Sequence, residues 1–224
     1  MKNYTLLEEI KKIKIPNYTL SEEIINSLSH GIAAAFSICG LIMLIIKASN
    51  INVTAVSSVT IFGTTMILLY TMSCIYHALS PNILGKKILR VIDHCNVFLL
   101  VFGTIIPVSL IGIGGISGWI FFGITAFTTL IGIFSSCINI DKVQLIEVIC
   151  HLLNGWSVVF FSKILLQNIG LIGLILIILG GVMYTLGAIL YGIGSKRKYI
   201  HSIFHFFCIF GTILHYISIY KYVL

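Results

Sequence analysis

The run Tyr199-Ile200-His201-Ser202-Ile203-Phe204-His205 opens a stretch of mainly apolar residues that continues to Val223. About 20 residues of α-helix, each rising 1.5 Å, cross roughly 30 Å of hydrocarbon. Ile200 to Val223 is therefore long enough to be a membrane span, and this decides the fold class. Within it His201 and His205 are four apart, so their imidazoles project from one helix face, one turn above the other. That is the spacing of a metal-ligand pair. Ionisable residues in a span face the protein interior, a water-filled cavity or an ion, so the pair needs a partner from elsewhere in the chain.

Six further apolar runs of similar length precede it: Ser27 to Ile46, Val53 to Leu79, Val91 to Ile113, Gly118 to Cys137, Leu145 to Leu166 and Ile169 to Ile193. Only Gln167 and Asn168 separate the fifth from the sixth. With 58% hydrophobic and 9% charged residues in a chain of 224, and a mean hydropathy of +1.08, the composition excludes a soluble globular protein. The expected architecture is an all-α membrane protein, a seven-helix transmembrane bundle over residues 27–224 behind an N-terminal cytoplasmic segment, residues 1–26. In that segment Leu6 to Ile13 mixes apolar and charged residues at roughly helical spacing, which fits either a short surface helix or a solvated tail. No cleavable signal peptide is expected from its mixed charge.

The net charge of +7 does not indicate nucleic-acid binding, because the basic residues fall between apolar runs rather than on one face. With the N-terminus inside, Lys2, Lys11, Lys12, Lys14, Lys86, Lys87, Arg90, Lys142, Lys196, Arg197 and Lys198, eleven of fourteen, lie on one side. Lys47, Lys163 and Lys221 lie on the other. The positive-inside rule then gives a cytoplasmic N-terminus and an outside C-terminus, and an even number of spans would spoil the asymmetry. The six cysteines form no CxxC pair and are expected to act as small buried hydrophobes. Glycines in the spans, among them Gly180, Gly181 and Gly187, are expected at close helix contacts, and Pro107 is expected to kink the third span.

Topology gives each ionisable residue a depth. His77 ends the second span, Asp93 and His94 begin the third after the basic loop Lys86 to Arg90, and His201 and His205 begin the seventh. All five fall within roughly 10 Å of the cytoplasmic interface. Ser73 lies one turn from His77 on the same face. Three histidines from two helices, with an acid nearby, suit an open zinc site that keeps one position for water, and such a site supports hydrolysis at neutral pH. Asp93 is then the general base or a hydrogen-bond acceptor, and Ser73 its partner or that of the substrate oxyanion. His30, His94, His151 and His215 are read singly as structural. Glu147 and His151 are spaced to hydrogen-bond each other, and His215, roughly 15 Å beyond His205, is out of reach of the site.

The ordered set Ser73-x3-His77, Asp93-His94-x-Asn96, Gly103-Thr104-x2-Pro107 and His201-x3-His205 resembles the haemolysin III family, the bacterial branch of the progestin and adipoQ receptors, to which the adiponectin receptors belong. Asn26-x2-Ser29-His30-Gly31 and Gly155-Trp156 resemble further signatures of that family, and the resemblance runs from Glu22 over nearly the whole chain. It implies a multi-pass protein of the bacterial cytoplasmic membrane, with zinc held near the cytoplasmic face by His77, His201 and His205, Asp93 close to a water on the metal, and Ser73 behind it. It also implies ceramidase-like hydrolysis of a lipid amide or ester, with a membrane lipid as substrate. The alternatives are a membrane sensor or regulator with structural zinc, and a cytolytic protein as the family name implies. No half-helix pair or charged midplane site favours transport.

Overall fold

The computed structural model describes residues 6–140, 142–194 and 197–224; Lys2 and Lys196, counted above in the charge asymmetry, lie outside the described residues. The described residues are helical almost throughout, and no strand occurs among them. A short helix α1 (Leu6–Lys12) precedes α2 (Leu20–Ala48), α3 (Val53–Ala78), α4 (Leu84–Pro107), α5 (Gly115–Asn139), α6 (Gln144–Trp156), α7 (Ser162–Gly194) and α8 (Ile200–Ser218). Among the described residues six helical stretches are long and apolar enough to cross a membrane, one of them the 50-residue run Leu145–Gly194. The outer surface is apolar, with Phe36, Phe127, Phe134 and Phe160 all exposed. Such a belt would aggregate in water, and it suits lipid. The chain is a multi-pass membrane protein.

Sequential helices pack side by side, and α8 returns to α2, closing the bundle. α4 is the most interior span, 67% buried against 28% for α2 and α5. Its terminus follows from Pro107, which has no N–H for the Gly103 carbonyl. The chain passes there from α-helix into a π-helical turn, Val108–Ile113, closed by the Gly114 N–H on the Ser109 carbonyl at 2.9 Å. The expected disturbance at Pro107 thus takes the form of a wider turn.

The 50-residue run reverses direction. The Trp156 indole N–H donates to Thr185 Oγ1 at 3.0 Å, a contact that a straight helix would stretch to roughly 43 Å. The reversal is at Gly170 (φ 72°, ψ 175°), a left-handed backbone that glycine tolerates, two residues past the expected break at Gln167 and Asn168. α2 and α8 run parallel: the Tyr199 N–H donates to Glu22 near their N-termini, and Lys47 Nζ to the Tyr220 carbonyl near their C-termini.

Several expectations are corrected. Lys86 and Arg90 are not in a loop; they sit on α4 and are buried, Lys86 bonded to Glu23 and the Leu79 carbonyl, Arg90 to the Lys14 carbonyl. Cys39 and Cys137 are exposed rather than buried, and all six thiols are free. The glycine expectation holds at Gly180, packed on His215, and at Gly187, packed on Phe204 and Phe207, but a side chain on Gly181 would meet open space.

The apolar core, including Leu44, Phe62, Met66, Ile105, Leu165 and Ile219, fills one half of the bundle. Glu22, Asn26, His30, His77, His201 and His205, all buried, gather in the other half, where α2 and α8 begin and α3 ends.

Candidate metal centre

α2 opens with a full capping box: Thr19 accepts from the Glu22 N–H while the Glu22 carboxylate accepts from the Thr19 N–H at 2.8 Å. This fixes the helix start, so that Glu23, Asn26 and His30, spaced by three and four, share one face turned toward α3 and α8. α3 brings His77 on its last turn, and α8 brings His201 and His205 on its first two.

The three predicted histidines meet. One nitrogen from each of His77, His201 and His205 lies within 4.8 Å of the others, and all three side chains are buried. His201 Nε2 and His205 Nε2 are 3.2 Å apart. His77 Nδ1 lies 2.6 Å from Glu23 Oε2, while His77 Nε2 is buried with no partner among the described residues. Asp93 and Ser73 line the same cavity as His201 and His205, and Asp93 Oδ1 is buried with no hydrogen-bond partner among the described residues. His77 is not part of that cavity's wall.

The cavity holds about 200 Å³ and is elongated. It is lined from Asp93 on α4 to Val108 at the start of the π-helical turn, a rise of roughly 22 Å, and Leu100, Val101 and Ile105 make the wall between them apolar. Over its other end lies the segment before α2. The Tyr18 ring stacks on His201 with centroids 4.8 Å apart and 18° between planes, the Lys14 carbonyl is tied to Arg90, and the Tyr199 N–H donates to Glu22 Oε1 at 2.7 Å. Burial pushes the Tyr18 phenol well above its usual range, so it stays neutral.

Residues 18–216 match the model of a family described as Haemolysin-III related. The chain belongs to the haemolysin III family. It is 32% identical over 207 residues to Hemolysin-3 of Bacillus cereus, a match that covers 92% of this chain and 93% of that protein. A match of 32% over 196 residues to the Hemolysin-3 homolog of Bacillus subtilis (strain 168) covers 87% and 91%.

Whether this haemolysin III chain can hold a metal is tested by its donor atoms. Four nitrogen ligands about 2.0–2.1 Å from a tetrahedral zinc lie roughly 3.3 Å apart, close to the separation of His201 Nε2 and His205 Nε2. The His77 Nε2, buried and without a partner among the described residues, leaves a donor free for a ligand position. The residues fit, and the buried histidine group could hold a metal ion.

Reading the sequence missed several residues of the site. His30, taken as structural, stacks on His205 with centroids 3.8 Å apart. Glu23, Asn26 and Lys86 were not singled out for it at all. The signal was available in the Glu23-x2-Asn26-x3-His30 face of the first long helix, at the same depth as the triad. Glu147 does not pair with His151: it bonds His94 Nδ1 at 3.2 Å and Ser136, while His151 stacks on Phe98 with its Nδ1 unpartnered. His215 stays away from the triad, packed against Gly180, though it lines the same cavity.

Proposed function

We propose that this haemolysin III protein is a zinc-dependent hydrolase of a lipid amide or ester in the bacterial cell membrane, its metal near the cytoplasmic face. The observation that carries the reading is the elongated apolar cavity that ends on His201, His205, Asp93 and Ser73. An acyl chain suits the apolar length along α4, and its carbonyl then comes to the polar end. His77, His201 and His205 are the residues that would hold the ion, with nitrogen donors favouring zinc. Zinc so bound polarises a carbonyl oxygen and acidifies water.

The chain's own residues supply the rest. Asp93 Oδ1, buried and unpartnered, takes a proton from water as its oxygen bonds to the carbonyl carbon. It returns that proton to the amide nitrogen or ester oxygen as the carbon–heteroatom bond breaks. Ser73 holds the carboxylate in place. The surrounding low dielectric strengthens both interactions.

We place the N-terminus in the cytoplasm and the C-terminus outside, with seven crossings. Two observations support this count: the part of α7 after Gly170 runs antiparallel to α6, and α8 runs parallel to α2, which requires an even number of reversals between them. The charge asymmetry supports the orientation.

The test is metal content and lipid turnover of purified protein beside the His77→Ala variant. Loss of both together is the expected result, and zinc retained in that variant overturns the site. A second reading, a sensor in which zinc is structural, draws on the ligands coming from two helices and so clamping α3 to α8. A wild type that holds zinc without turning over lipid, with membrane function intact in Asp93→Asn, would favour it. Cytolysis, which the name hemolysin implies, predicts erythrocyte lysis by detergent-free protein.

A further inference from the structure

A carboxylate behind the triad has no assigned role. Glu23 sits on the first turns of α2, its side chain 12% exposed. One oxygen, Oε2, lies 2.6 Å from His77 Nδ1, and the other, Oε1, lies 2.5 Å from Lys86 Nζ. Lys86 is completely buried, donates also to the Leu79 carbonyl at 2.8 Å, and lies over the Tyr76 ring with its nitrogen 5.2 Å from the centroid. A lysine withdrawn from water to this extent needs an anion beside it, and its bond to Oε1 holds Glu23 against the histidine.

The contact decides which ring nitrogen of His77 carries the hydrogen. A nitrogen and a carboxylate oxygen 2.6 Å apart have a proton between them, so Nδ1 donates to Glu23, and in the neutral ring, the form that ligates a metal, Nε2 keeps its lone pair. The Asn26 amide nitrogen, 3.5 Å from the same Nδ1, is too far to compete for it. The free lone pair is the one on the nitrogen found buried and unpartnered. From these contacts we infer that Glu23, anchored by Lys86, is the positioning residue of His77. It fixes the tautomer and the ring plane that a metal requires and raises the basicity of Nε2. Without it the ring is free to turn about its Cβ–Cγ bond or to carry its proton on Nε2, and either change withdraws one of three ligands. Lys86 neutralises the carboxylate and holds its second oxygen, so that α4, which supplies Asp93 to the cavity, also sets the ligand on α3.

This inference rests on the metal reading, and its test separates the two. Full-length protein in detergent is titrated with zinc against a chelator, and its cobalt(II) form is followed by absorption spectroscopy, for wild type, Glu23→Ala and Glu23→Gln. Apo-protein melting temperature reports on folding. Glu23→Ala is expected to lower zinc affinity by about 10- to 100-fold and to shift the cobalt spectrum. Glu23→Gln, whose carbonyl can still accept from Nδ1, is expected to recover part of the affinity, giving the order wild type, Gln, Ala. Should the alanine variant not fold, the isosteric glutamine variant decides alone, with reduced affinity as the expected result. Wild-type affinity and an unchanged spectrum in a folded variant overturn the role of Glu23 while leaving the triad intact. A wild type that takes up no metal overturns the triad and this role together.

Discussion

His201 Nε2 and His205 Nε2 stand 3.2 Å apart on successive turns of α8. Two imidazole nitrogens so placed can share one hydrogen or address one ion, and the second use makes each indispensable. His201→Ala and His205→Ala should each lower zinc affinity by more than the ~10- to 100-fold expected of residues behind the ligands. Metal analysis of purified variants measures it.

Asp93 touches no histidine of the triad through a hydrogen bond, and its role is separable from metal retention. Asp93→Asn should keep wild-type zinc content and lose turnover by about 10²- to 10⁴-fold, the range general base catalysis contributes. The paired measurement is zinc stoichiometry and lipid hydrolysis on one preparation.

α5 offers a matched pair for stability. A side chain on Gly118 would drive into the Ser109 backbone carbonyl, which cannot rotate away, whereas one on Gly123 meets open space. Gly118→Ala should destabilise by about 1–3 kcal/mol. Gly123→Ala should stabilise by roughly 0.5–1 kcal/mol through helix propensity. Thermal melting in detergent compares them.

The crossing number can be read by labelling. In a cysteine-free background, Asn50→Cys and Gln167→Cys should react with an impermeant reagent in intact cells, and Lys142→Cys and Arg197→Cys only after permeabilisation. Reaction of Arg197→Cys in intact cells would instead mean that residues 144–194 cross once.

The triad was legible in the sequence because depth in a membrane is nearly one-dimensional: span boundaries and charge asymmetry place His77, His201 and His205 on one level, and helical period aligns the last two. Rotation about the helix axis is not encoded so simply. His30, Glu23 and Lys86 sit at the right depth, but which neighbour each faces follows from how α2 and α4 pack. Lys86 and Arg90 read as a solvated loop because their partners, a carboxylate on α2 and a carbonyl ahead of it, are more than sixty residues away in the chain. The break near residue 168 was off by two because polar residues mark a break in hydropathy, whereas the backbone turns where a glycine allows positive φ.

Tyr18 lies flat on His201, and Glu22 ties the turn before α2 to the turn before α8. A direct path between the triad and the water at that end of the bundle therefore runs through the protein's own leading segment. A metal leaves by that path no faster than this cover lifts, whatever its equilibrium affinity. How tightly the ion is held belongs to the histidines and Glu23; how long it stays belongs to Thr19, Glu22 and Tyr18.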